Sequence, residues 1–435
     1  MNAAVEGALL AIVFLIIIGW VGGAMANKKD RSWLPGLVVW AFTAKLAGSL
    51  ARYYMVAVLY QKGDSFEYHR WGSIFANSWR SFAVPISSSS QPGTAFTEIA
   101  TGFLYAPYTP TMLGGFLIFG TVAFVGQLLF YAAFRRWAEG QVLKLYALAV
   151  FFVPSLVFWP SSIGKDALMV FFLGLSAYGA SRLLHTYDFA SLFLLAPGLF
   201  LTASIRPHVA SIMGLAIVLA ALFGKPPKQV EGSPKRAVML VAAMAGAALV
   251  LATFSATFGV TVEGGDGTQD PQAFLQDVSE QTATGGSEIT GGAVASPLQL
   301  PQAIVTVMFR PLIFEARSIQ TLMSAMEGTA LLVIFLWKFP TMWKNKRLLR
   351  EKPYLMLCFF YTGGFILGFS AILNLGILAR QRVQVLPLFL ALIVGLGWEA
   401  AAKRAEDDTE EPEEVEEPPA PRRVSRKVLP QSSEA

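Results

Sequence analysis

The chain has 435 residues, of which 54% are hydrophobic and only 14% charged, a balance that leaves too little polar surface for a soluble domain and points to a polytopic membrane protein. Its single cysteine, Cys358, excludes a disulfide framework and a cysteine-based zinc site. The net charge of +5 sits on Lys and Arg in short connections between apolar runs, where membrane topology accounts for it, so nucleic acid is not an expected partner.

In chain order, runs of about 20 apolar residues predict an all-α protein of eleven transmembrane helices, near 3–26, 33–60, 109–134, 141–160, 165–184, 188–204, 206–223, 237–259, 319–338, 353–373 and 377–401. Ala24-Met25-Ala26 has the look of a leader cleavage site, but no positive charge precedes the first run, which is read as an uncleaved span. Alternate connections carry the basic residues: Lys28, Lys29 and Arg31; Arg135 and Arg136; Lys225 and Lys228; Lys344, Lys346 and Arg347; Lys403 and Arg404. The positive-inside rule makes that side cytoplasmic, with the N-terminus outside, the C-terminus inside and the cytoplasmic membrane as the location.

Two long extracytoplasmic loops follow from this topology, 61–108 and 260–318. In the first, "SFEYHRWGSIFANSWRSF" spaces Phe66, Trp71, Phe75 and Trp79 near the helical period, as a helix at headgroup depth would. The second begins "VEGGDGTQDPQ" and becomes an amphipathic stretch carrying Arg310 and Arg317. The transmembrane domain is expected to occupy 1–404. The tail 405–435, "EDDTEEPEEVEEPPAP" followed by "RRVSRKVLP", is expected to be a disordered cytoplasmic segment.

Short outer connections should be poor in charge, yet "PSSIGKDA", "SIRPHV" and "NLGILARQR" each carry cations. A charge at a helix centre costs roughly 2.5–3.5 kcal/mol on insertion scales, so charge at the membrane boundary asks for a reason. Each member has a plain alternative: a solvated turn for Asp64 and Glu67, a helix start for Lys165-Asp166, headgroup anchoring for Arg206, Arg380 and Arg382, and an amphipathic helix on lipid for Arg310. Together they predict a half-buried cationic chamber on the outer side that suits a lipid phosphate or pyrophosphate. Lys45, within the second span, has no place in this pattern.

An outer loop bearing "GDSFEYHRWG", with Asp64 ahead of Glu67 and Tyr68, resembles the opening of the GT-C class of polytopic glycosyltransferases, which place a carboxylate in a D-x-x-x-Y-like pattern. "FFVPSLVFWPSSIGKDALMVFFLGLSAYGASRLL" is similar to the Lys-Asp start of a span in bacterial polysaccharide-assembly membrane proteins. This chain departs from the class in having a span before the acidic loop, no adjacent acidic pair and no large soluble C-terminal domain.

The resemblance implies transfer of a sugar from a polyprenyl-phosphate donor to an extracytoplasmic glycan or lipid acceptor. Asp64 would be the catalytic base, with Glu67 as partner or substitute. His69, Lys165, Asp166, Arg206, His208, Arg310, Arg380 and Arg382 would bind substrate. No cofactor is specified, and a divalent metal is compatible with the class. The alternatives are an O-antigen-polymerase-like enzyme centred on Arg206 and His208, a lipid or sugar transporter, and a non-catalytic scaffold.

Overall fold

A computed structural model of the chain describes residues 2–28, 30–87, 89–226, isolated positions between 234 and 252, 297–316 and 319–410. Among these the architecture is helical with no β-strand. Helix α1 spans Ala3–Met25, and α2 spans Leu34–Tyr53 before continuing as a π-helical stretch, Tyr54–Tyr60. The first outer loop folds into α3, Asp64–Arg80, and α4, Pro92–Tyr105. Then come α5, Met112–Phe134; α6, Gly140–Phe152; the short α7, Pro154–Phe158; α8, Lys165–Thr186; α9, Leu192–Ile205; and α10, Pro207–Phe223. The C-terminal part adds α11, Leu300–Phe309; α12, Ile319–Lys344; α13, Arg347–Glu351; α14, Pro353–Phe369; α15, Leu375–Gln381; and α16, Leu386–Glu410.

Among the described residues five helices are long and apolar enough to cross a membrane: Ala3–Met25, Leu34–Tyr60, Met112–Phe134, Lys165–Thr186 and Thr321–Lys344. A sixth is gained if Leu375–Gln384 and Leu386–Trp398, bent by 66°, form one span. Other predicted runs fold differently. The 141–160 run is cut at Pro154, whose ring cannot continue a helix and instead starts α7 at its first position. The runs at 188–204, 206–223 and 353–373 form helices of 17 residues or fewer. Most of 237–259, the stretch 260–296, Arg317 and the tail beyond Glu410 lie outside the described residues.

α8 is the central helix, with 78% of its most apolar window buried, whereas α1 is peripheral at 11%. α8 packs most extensively on α5, and small residues permit the close approach. A Cβ on Gly126 would stand 2.5 Å from the Val170 carbonyl oxygen, and one on Gly174 would stand 2.5 Å from that of Gly126. α1 and α5 run parallel, tied at both ends: Thr111 N–H donates to Glu6 Oε1 at 2.9 Å, and Arg135 donates to the Met25 carbonyl.

The cut between α6 and α7 leaves the Ser155 amide without a helical partner, and Pro160 has no N–H to offer the Leu156 carbonyl. Two buried charged side chains supply the missing partners. Lys45 Nζ of α2 donates to the Leu156 carbonyl at 2.7 Å, and Glu327 Oε2 of α12 accepts from Ser155 N–H at 2.6 Å. Both side chains are almost fully enclosed, at 1% and 7% exposure. Water cannot satisfy an exposed amide or carbonyl at that depth, so the interaction holds the broken segment in place.

Candidate functional site

The first turn of α3 is set by Gly63, whose φ of 128° lies where L side chains rarely go. The turn projects Asp64 into the open and buries Ser65, whose hydroxyl donates to the Ile163 carbonyl at 2.7 Å. That bond pins α3 against the loop that leads into α8. One turn on, Tyr68 is buried beside Gly164, itself at φ 151°; a Cβ there would meet the ring at 3.4 Å. Burial pushes the Tyr68 hydroxyl up to about 12, with the Asp64 charge acting in the same direction, so this phenol stays protonated and available as a donor.

The α8 N-terminus supplies Lys165 and Asp166. Lys165 Nζ donates to Thr94 Oγ1 of α4 at 2.9 Å. Asp166, 3% exposed, takes Arg206 on one oxygen at 3.3 Å and Arg380 on the other. Arg206 comes from the break between α9 and α10, and Arg380 from α15, where the 66° bend turns the chain inward. Arg52, near the end of α2, lies over the rings of Phe158 and Trp159 at 5.0 and 5.1 Å, and its charge acts on the same Asp166 and Arg380.

Four cations from four separate stretches of chain therefore surround one buried carboxylate. Asp64 stands at their edge, within electrostatic reach of Lys165, Arg380 and Tyr68. Arg206 Nη1 and Arg52 Nε are buried with no hydrogen-bond partner among the described residues, and Arg380 remains 38% exposed. The arrangement has spare donors, an excess of positive charge and one partly exposed guanidinium. It can seat an oxyanion of substantial charge.

The remaining predicted residues make no hydrogen bond to Asp166, and of them His208 feels the Arg206 charge. Glu67 points outward and pairs with Arg70 at 2.7 Å, both side chains well exposed. His69 faces α4, where Nδ1 meets the Tyr105 hydroxyl at 3.1 Å; burial holds its imidazole below the ordinary value. The His208 ring packs against that of Phe369 at 5.6 Å. Arg310 is engaged by Glu315, with Nε to Oε1 at 2.8 Å. Burial alone would raise the Glu315 carboxyl, but Arg310 and the Leu312 amide more than offset it and hold it low. Arg382 is 1% exposed, donates to the Arg310 carbonyl and senses Glu327, which places it beside the α7 break instead of the Asp166 cluster.

Arg52, Tyr68 and Thr94 belong to the centre and were not singled out as site residues from sequence. Arg52 and Tyr68 had usable signals: an arginine near an outer helix end, and a tyrosine four residues after Asp64 on one helical face. Among the described residues no group of three or more His, Cys, Asp or Glu is placed to hold a metal ion. No protein-family model, curated protein or solved structure matches the chain.

Proposed function

We propose that the chain is a membrane glycosyltransferase that moves a sugar from a polyprenyl-phosphate donor to an extracytoplasmic acceptor in cell-surface glycan assembly. The observation that carries the reading is the convergence of Arg52, Lys165, Arg206 and Arg380 on Asp166, next to an exposed Asp64. A buried cluster with more cations than carboxylates is costly unless an anion completes it, and a phosphate at headgroup depth is such an anion.

The division of labour follows from position. Asp166 holds Arg206 and Arg380 in register, while the spare guanidinium groups and Lys165 face the phosphate. As the bond between the anomeric carbon and the phosphate oxygen breaks, its electron pair passes to that oxygen, where fixed cations stabilise the charge. The acceptor oxygen forms the new bond from the opposite face, with inversion, and Asp64 takes the acceptor's proton. Tyr68, protonated and buried beside Asp64, can donate to a sugar or phosphate oxygen.

The same reading places the N-terminus outside and the C-terminus in the cytoplasm of an inner membrane, with the shorter apolar helices completing up to eleven crossings. Its support is the gathering of Lys28, Arg135 and Arg136 at one end of α1 and α5, opposite the end tied by Glu6 and Thr111.

A second reading, an O-antigen-polymerase-like enzyme, draws on the direct contact of Arg206 with Asp166, since four cations also suit a pyrophosphate. Proteoliposomes supplied with labelled polyprenyl-phosphate sugars and, separately, lipid-linked oligosaccharides distinguish the two by product. Single-sugar addition that is lost in Asp64→Asn supports the transferase; joining of preassembled units supports the polymerase; full transfer by Asp64→Asn rejects Asp64 as the base.

A further inference from the structure

We propose that the groove between α1, α5 and α8 holds an acyl chain of an anionic phospholipid whose phosphate is seated at Arg135 and Arg136. The groove has a volume of about 680 Å³, walled by Phe14, Ile18 and Val21 of α1 and by Val125 and Leu128 of α5. Its wall is hydrocarbon until the end where Arg135, Arg136 and Tyr178 close it. A second pocket of about 330 Å³, lined by Asn27, Lys28, Asp30, Arg135 and Glu139, begins at the same Arg135. An apolar compartment and a polar one thus share a single guanidinium, which is the shape of a lipid's tail and head.

Charge selects the kind of lipid. Lys28, Arg135 and Arg136 stand against Asp30 and Glu139, three cations to two carboxylates, which leaves one positive charge at the mouth. Arg135 is held in place by Asp30 at 3.0 Å and by the Met25 carbonyl. Arg136 lies 4.8 Å above the Tyr178 ring and donates to its hydroxyl at 3.0 Å, while its Nε is buried with no hydrogen-bond partner among the described residues. A phosphodiester bearing no compensating ammonium matches that surplus, and each basic group near the membrane surface favours anionic lipid by about 1 kcal/mol. Because α1 is so little enclosed, a lipid reaches the groove from the side without the bundle opening. This inference does not depend on the proposed transferase reaction.

The test uses the full chain in nanodiscs of equimolar phosphatidylglycerol and phosphatidylcholine. Native mass spectrometry of the released protein is expected to retain phosphatidylglycerol preferentially. Arg136→Gln should weaken that retention about fivefold, and Ala132→Phe, which places a ring in the groove, should remove it. Photo-crosslinking of the unaltered chain with a diazirine-bearing phosphatidylglycerol should label Val21, Thr121 and Val125, and this measurement decides the matter even if a variant misfolds. Equal retention of the two lipids, retention unchanged in a folded Ala132→Phe, labels confined to other faces, or crosslinks to a second copy at this groove would each overturn the proposal.

Discussion

Two sets of buried charge lie in the packing of α2, α7 and α8, and they differ in what each charge is directed at. Around α7, Lys45 meets the Leu156 carbonyl, to which Pro160 has no N–H to offer, and Glu327 meets the Ser155 amide at the helix start set by Pro154. Around Asp166, one carboxylate faces Arg206 and Arg380 with Arg52 and Lys165 close by, and guanidinium donors remain over. The α7 set directs its charges at backbone, with Glu327 Oε1 left without a hydrogen-bond partner among the described residues; the Asp166 set pairs charge with charge and gathers four cations about one buried carboxylate. Burial of charge alone therefore does not mark a binding centre; the Asp166 set differs in gathering its cations within reach of the exposed Asp64 and in keeping Arg380 partly exposed.

Asp166→Asn should break this contrast most severely. It leaves two arginines without their countercharge at about 3–5 kcal/mol, so both the thermal unfolding temperature in detergent and donor binding should fall. Asp64→Asn should separate function from folding: transfer declines by about 10²-fold or more, while the unfolding temperature stays unchanged because Asp64 is exposed. Glu67→Gln is the control, since its exposed pair with Arg70 contributes about 0–1 kcal/mol and faces away from the cluster.

Lys45→Met should do the reverse of Asp64→Asn. Leaving the Leu156 carbonyl unmatched costs about 1–3 kcal/mol of stability, with transfer per folded molecule preserved; a loss of transfer without destabilisation would place Lys45 in the reaction instead. The smallest effect is a pH dependence at His69. Its folded value lies below the ordinary 6.5, so below about that pH the unfolded chain binds a proton that the folded chain does not. Stability should fall as pH drops through that window, and His69→Gln should flatten the slope measured by unfolding at pH 7 and pH 5.5.

Much of the cluster was legible before the fold. Lys165, Arg206 and Arg380 stood out because they occupy short outer connections where the topology predicts few cations. Their common partner was not legible: Asp166 is separated from Arg206 by 40 positions and from Arg380 by 214, and only tertiary packing brings them together. Glu67 and Asp64 look equivalent as acids in one motif. They part because α3 buries the face that carries Ser65 and Tyr68, which leaves Glu67 on the outer surface with Arg70.

Counting apolar runs measures composition and does not register interruptions, so the helix break at Pro154 within 141–160 and the 66° bend within 377–401 came only with the fold. Lys45 and Glu327 are the complement of the first interruption. A basic and an acidic residue inside apolar runs answer, respectively, the carbonyl that Pro160 cannot serve and the amide at the helix start set by Pro154, and both prolines stand in the sequence.

The repair of α7 also sets an order on biogenesis. Ser155 is synthesised 172 residues before the carboxylate that receives its amide, whereas the lysine for the neighbouring carbonyl precedes it by 111. A nascent chain arrested after α8 thus has one end of the interruption mended and the other still bare. The Ser155 amide gains its carboxylate only once α12 has been made.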